Sequence, residues 1–226
     1  MSQGFDIVRH PTARRVRLSL DPATGRARLV VPRRAALKAA VAWAEGKADW
    51  LEQQRARLPA ARPFVSGAVL PVADEALTIV HGPASRSRIV RREGDYVVTG
   101  GAADTVARRI ETWLRRSALA LLDEETRAVA SRAGVTVERV SIGDPTGRWG
   151  SCASTGAIRY SWRLLLAPGF VRHATVAHEV AHRIHMHHGP EFHALTEELL
   201  GADPAPARAW LRANGAALHW YGRSSL

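Results

Sequence analysis

Residues 178–188 constrain this chain more than any other segment. They read His178-Glu179-Val180-Ala181-His182-Arg183-Ile184-His185-Met186-His187-His188. An H-E-x-x-H run makes chemical sense on an α-helix, where residues four apart share one face about 6 Å apart along the axis. There His178 and His182 each aim a ring nitrogen at one cation, and Glu179, one step round the helix, reaches water bound to it. Catalytic zinc takes three protein ligands and leaves a fourth position to water, whose pKa falls to about 7. The pattern therefore predicts a zinc hydrolase site that still needs a third ligand.

Helix geometry ranks the candidates for that place. On a continuing helix His185 lies about 10 Å beyond His178, awkward for a bond length of about 2 Å. His188 is better placed if the chain turns back, and Gly189-Pro190 supplies a break: glycine ends a helix cheaply and proline starts the next. His188 would then sit at a corner between two helices, with His187 pointing elsewhere. Glu191, His193, Glu197 and Glu198 stand as fallback ligands. A solvated histidine-rich face and a purely structural metal are the competing readings; Glu179 argues against the latter, which needs no acid there. Val176, Ala177, Val180, Ala181 and Ile184 are expected to pack this helix into a core.

Length and composition bound the rest. A chain of 226 residues suits one compact domain or two small ones, and 46% hydrophobic with 23% charged residues is ordinary for a globular protein. The lone Cys152 excludes an intrachain disulfide, and with no apolar run of spanning length or leader-like start the expected location is the cytoplasm. The net charge of +11 is uneven: residues 1–60 carry 12 basic and 5 acidic side chains, residues 117–226 carry 11 and 10. This basic N-terminal region is a candidate for nucleic-acid association, away from the histidine motif.

Alternating runs within residues 5–32, split by Asp21-Pro22-Ala23-Thr24-Gly25, predict a β-hairpin. Residues 35–58 carry apolar positions at helical spacing, and Trp43 and Trp50, seven apart on one stripe, are expected in the core rather than as a base-stacking platform. Residues 59–63 form a Pro-bounded linker, residues 64–99 give short strands, and residues 104–133 form the longest helix, with Asp104 as N-cap and Gly134 as stop. Strands are expected at 135–142 and 157–166, then the motif helix opened by Pro168, a helix over 190–200 and another over about 205–213.

Gly147-Arg148-Trp149-Gly150-Ser151-Cys152, the run Ile158-Arg159-Tyr160-Ser161-Trp162-Arg163-Leu164, the H-E-x-x-H helix, and His188 with Phe192 together resemble the YgjP-like metallopeptidases, a family related to the SprT and Spartan zinc proteases. The N-terminal hairpin and Ala48-Asp49-Trp50-Leu51 fit more weakly. The resemblance implies an α+β chain: an N-terminal β-rich region with one helix over residues 1–100, then a zincin-like metallopeptidase domain over 101–226, whose H-E-x-x-H helix lies beside a small sheet; the two can pack as one unit. It implies Zn2+ held by His178, His182 and His188, Glu179 as catalytic base, and a peptide or protein substrate. His193 stands where the family commonly has tryptophan, either as a surface residue or as an extra ligand.

Beside the metal, Arg148 in its glycine-flanked turn is a candidate for stabilising an oxyanion or a phosphate, against a structural turn with Trp149 in the core. Cys152 reads as a small buried hydrophobe, and Tyr160 and Arg163 as weaker candidates for substrate contact. The strand over 157–166 is expected to offer its edge to an extended peptide. Two other functions compete. One is a metal-dependent nucleoside triphosphate pyrophosphohydrolase, for which arginines are plentiful but a phosphate loop G-x-x-x-x-G-K-[ST] is lacking. The other is a basic nucleic-acid-associated module with structural zinc.

Overall fold

The alternating segment near the N-terminus forms a β-hairpin in the computed structural model of this chain, which describes residues 4–82 and 90–224. Strands β2 (Arg17–Leu20) and β3 (Ala27–Pro32) pair antiparallel, with Leu18 opposite Leu29. The connecting turn closes because Asp21 Oδ1 accepts the Ala23 N–H at 2.9 Å and Gly25 takes φ +70. A strand not anticipated as separate, β1 (Asp6–His10), lies parallel to β3, giving the order β1-β3-β2. Leu29 and Val31 pack with Ala40 and Ala44 in a small core.

The expected helix over 35–58 is two helices, α1 (Leu37–Glu45) and α2 (Ala48–Arg55), interrupted at Gly46-Lys47. Trp43 and Trp50 are not core residues: they are 44% and 38% exposed. The inward positions are held by alanine and Leu51, too small a face to cover two indoles as well.

The chain divides into two compact units, residues Met1–Ala60 and Ala61–Leu226. That division falls in the proline-bounded linker, whereas the sequence alone suggested a boundary at residue 100. Residues 64–100 belong with the second unit because their side chains enter its core: Phe64, Leu70, Leu77, Ile79 and Val97 cluster with Ile110 and Leu114. Their sheet runs in the order β4 (Val69–Val72), β5 (Glu75–Gly82), β7 (Tyr96–Gly100), β6 (Arg91–Glu93).

The long helix α3 (Val106–Arg132) starts after a single 3-10 turn containing Asp104, so Asp104 is not its N-cap; its end at Ala133, with Gly134 at φ +65, is as expected. Ile110, Leu114, Ala118 and Leu122 recur at four-residue spacing and are fully buried. The helix packs against β8 of a second sheet, made of β8 (Arg139–Gly143), β9 (Gly150–Cys152) and β10 (Ala157–Ser161) in the spatial order β8-β10-β9. Strand β10 is parallel to β8 and antiparallel to β9. Residues 162–166 are a 3-10 turn rather than strand. Three helices complete the unit: α4 (Gly169–Ala181), α5 (Pro190–Leu200) and α6 (Ala205–Leu218). The architecture is α+β, with α4 between β9 on one side and α5 and α6 on another. Among the described residues no helix is long and apolar enough to cross a membrane.

Candidate metal centre

The helix that carries the motif is anchored at its start by an unusual turn. Ala73 and Asp74, the two residues between β4 and β5, both have positive φ, 50 and 70, the mirror-image turn that two-residue hairpins favour but that normally draws glycine or asparagine. This places Asp74 Oδ1 2.6 Å from the Gly169 N–H, at the otherwise unsatisfied first turn of α4. One turn on, buried Arg172 bonds Glu125 Oε1 of α3 at 2.8 Å. Val171, Val176, Ala177, Val180 and Ala181 then fill the core. Ile184, expected with them, is 46% exposed because α4 ends at Ala181, and the chain turns away before reaching it.

That early end shapes the site. His182 caps α4, and its Nδ1–H donates to the His185 carbonyl at 3.0 Å, which fixes the ring and leaves Nε2 free. The chain reverses through residues 183–189, and Pro190 opens α5, as its fixed φ favours. His188 therefore comes back over α4, with its Nε2 3.2 Å from His178 Nε2. Donor atoms of His178, His182 and His188 all lie within 4.8 Å of one another. Two nitrogens bound to one tetrahedral ion at about 2.0–2.1 Å stand roughly 3.3 Å apart, so the closest pair already has the spacing of ligands. Phe192, fully buried on α5, lies under all three rings with centroid separations of 4.9, 4.5 and 4.7 Å.

The surroundings favour the neutral form of His178 and His182, the form that binds cations. Burial, with His182 and His188 close by, lowers the His178 pKa to about 4. Burial also lowers that of His182, against the bond to the His185 carbonyl. Glu179 is 4% exposed, and its Oε2 has no hydrogen-bond partner among the described residues. Burial raises its pKa to about 7, opposed by the positive charge of Arg148. Its carboxylate lies against the Cα of Gly150 on β9; a Cβ there would overlap Oε1 and stand 2.7 Å from Cδ.

A cavity of about 270 Å³ opens beside this group. Trp149, Ala207 and Leu211 give it an apolar wall, while Arg148, His178 and Glu179 line it on the side of the histidine cluster. Trp149 is packed against the core, and its Cζ2 occupies the place a Cβ of Gly215 would need.

Other candidates do not join the group. His193 is exposed, its ring 6.4 Å from that of His188, and Glu191, Glu197 and Glu198 stand outside the histidine cluster. Cys152 is half-buried and also outside it, and burial raises its thiol pKa. Tyr160 is fully buried with its hydroxyl 3.0 Å from Thr126 Oγ1. Arg163 is buried too, bidentate on Asp144 and bonded to the Leu218 and Tyr221 carbonyls. Both are structural, not substrate-facing. The strand expected to offer its edge, β10, is the central strand, so the edge beside α4 belongs to β9. Trp149 and Ala153 bond towards β10, and by antiparallel alternation Gly150 and Cys152 turn their backbone groups to that free edge.

A family model described as the YgjP-like metallopeptidase domain matches residues 14–214. The chain belongs to the YgjP-like metallopeptidases. No curated protein and no solved structure was found to match it. The YgjP-like match covers the hairpin, both sheets of the second unit and all three histidines, and it makes the chain a metallopeptidase at the level of its family. Phe192, which the resemblance flagged without a role, packs in this YgjP-like chain as the floor under the imidazoles. The packing of Gly150 against Glu179 had no sequence signal, because it joins residues 29 positions apart.

Proposed function

We propose that this protein is a zinc-dependent peptidase that hydrolyses peptide bonds with Glu179 as general base. The supporting observation is the convergence of three imidazole donors with a buried carboxylate whose Oε2 has no partner among the described residues. Nitrogen donors of this number and spacing fit Zn2+, which supplies Lewis acidity that polarises a carbonyl and acidifies water. His178 and His182 hold one face of the site and His188 closes it; the His182 Nδ1–H bond to His185 keeps Nε2 turned inward. Glu179 takes a proton from the attacking water and returns it to the leaving amine nitrogen. Its buried carboxyl, with Oε2 unpartnered among the described residues, is free to exchange that proton with the water. The free edge of β9 aligns an extended peptide by main-chain hydrogen bonds. The apolar cavity lined by Trp149, Ala207 and Leu211 takes a side chain next to the scissile bond.

The test is cleavage profiling of a diverse peptide library by zinc-loaded protein, with Glu179→Gln alongside. Cuts made by the wild type alone are expected. Equal cutting by the Glu179→Gln variant would remove Glu179 from the mechanism.

A second reading concerns residues 1–60. Exposed Trp43 and Trp50 on a strongly basic unit suit nucleic-acid association through charge and base stacking. Salt-sensitive binding of single-stranded DNA, weakened several-fold by Trp43→Ala or Trp50→Ala, is the expected result; salt-independent or absent binding counts against it.

A further inference from the structure

On the sheet face beyond the metal cleft, Arg159 of β10 stands in register between Ser141 of β8 and Ser151 of β9. Its guanidinium lies across Gly143, where a Cβ would come within 2.6 Å of both Nε and Nη2. Small residues on three sides thus make a bed for this side chain, and among the described residues neither Arg159 nor Arg148 has an ion-pair or side-chain hydrogen-bond partner. Both line a cavity of about 470 Å³ with Ser151, Asp144 and Pro145. The acid in this cavity does not neutralise them, because Asp144 is engaged bidentately by buried Arg163 at 2.6 and 2.9 Å. Arg148 also lines the apolar cavity that holds His178 and Glu179, so the two cavities meet at its side chain.

Two unpaired guanidinium groups and a hydroxyl around one cavity form a receptor for a planar anion. A guanidinium matches a carboxylate in a two-bond fork, and such charge-assisted bonds are about twice as strong as neutral ones. In a peptide the available anions are carboxylates. We propose that Arg159, Arg148 and Ser151 form a carboxylate-recognising subsite that selects peptides carrying an acidic side chain, or a free C-terminus, a few residues from the bond cut. This selectivity rests on the peptidase reading above.

The experiment separates the two. Binding of fluorescein-labelled peptides is measured by anisotropy on the full-length Glu179→Gln protein loaded with zinc. The peptides come in matched pairs, Glu against Gln at successive positions and C-terminal acid against amide, which distinguishes the two sources of carboxylate. The carboxylate member of at least one pair is expected to bind about tenfold more tightly, the scale of one charged hydrogen bond. Adding Arg159→Gln should bring that ratio to within about twofold, and Arg159→Lys should restore part of it. Equal affinity within every pair, or an Arg159→Gln variant that weakens both members equally, overturns the proposal. Turnover of the same peptides by wild-type protein then tests the peptidase reading. Carboxylate preference without cleavage leaves the subsite standing alone, and cleavage without preference leaves only the peptidase.

Discussion

The carboxylate of Glu179 rests directly on the Cα of Gly150, in space that any side chain at that position of β9 would fill. The glycine is needed there for room, since its φ is not in the left-handed region. Gly150→Ala must push Glu179 off its position or β9 away from α4. We expect the variant to fold, with a loss of about 1–3 kcal/mol from overpacking. It should retain metal but lose about a hundredfold in kcat/KM, the effect of misplacing a reacting group by an ångström. Thermal unfolding, metal content and peptidase assays on one preparation check all three.

Glu179 should also cost stability. Its folded pKa is raised to about 7 from an unfolded value of about 4.3, so between those values the folded chain holds a proton that the unfolded chain has released. The contribution of Glu179 to the stability of the metal-free protein should therefore fall as pH rises from about 4.3 to 7, while that of His178, whose pKa is lowered to about 4, rises over much of the same range, so the difference between wild type and a Glu179 variant isolates the carboxyl. Glu179→Gln removes this penalty and should raise stability at pH 8 by up to roughly 3 kcal/mol, with little gain at pH 4. Urea unfolding of chelator-treated protein at the two pH values measures the difference; a larger gain at pH 4 would refute it.

Metal stoichiometry should separate the histidines. Replacing His178, His182 or His188 by alanine is expected to drop bound zinc well below one per chain. His193→Ala should leave it at one, because that ring is exposed and outside the cluster. Zinc at a hundred times its Kd should stabilise the wild type by about 2.7 kcal/mol, an increment lost in the first three variants. Elemental analysis with thermal unfolding reads both quantities.

Asp144 supplies a second pH-dependent element. Burial alone would raise its pKa, but the bidentate bond from Arg163, with His219 nearby, holds it below the usual carboxylate range. A depressed folded pKa contributes stability above the unfolded value of about 3.9, lost as pH falls below it. Asp144→Asn should remove that acid limb and leave buried Arg163 without its counter-charge, costing about 3 kcal/mol at neutral pH. Unfolding curves between pH 3 and 7 test this.

How much of the site could be read in the chain follows from the distance over which each signal acts. The four-residue spacing of His178 and His182, the Gly189-Pro190 break and the return of His188 are local events, governed by helix periodicity and by the backbone chemistry of glycine and proline. The boundaries of α5 and the end of α3 at Gly134 were legible for the same reason. By contrast, Trp43 and Trp50 carry a helical stripe that the small core of residues 1–60 does not cover.

Sequence by itself thus determined the three ligand candidates, the base candidate, the α+β class and the YgjP-like kinship. Tertiary structure alone decided that β9 rather than β10 has the free edge, that Arg163 is a structural cation on Asp144, that Phe192 underlies the imidazoles and that Gly150 makes room for Glu179. Each of these depends on residues brought together by packing from distant parts of the chain, and no periodicity within one segment encodes such a meeting.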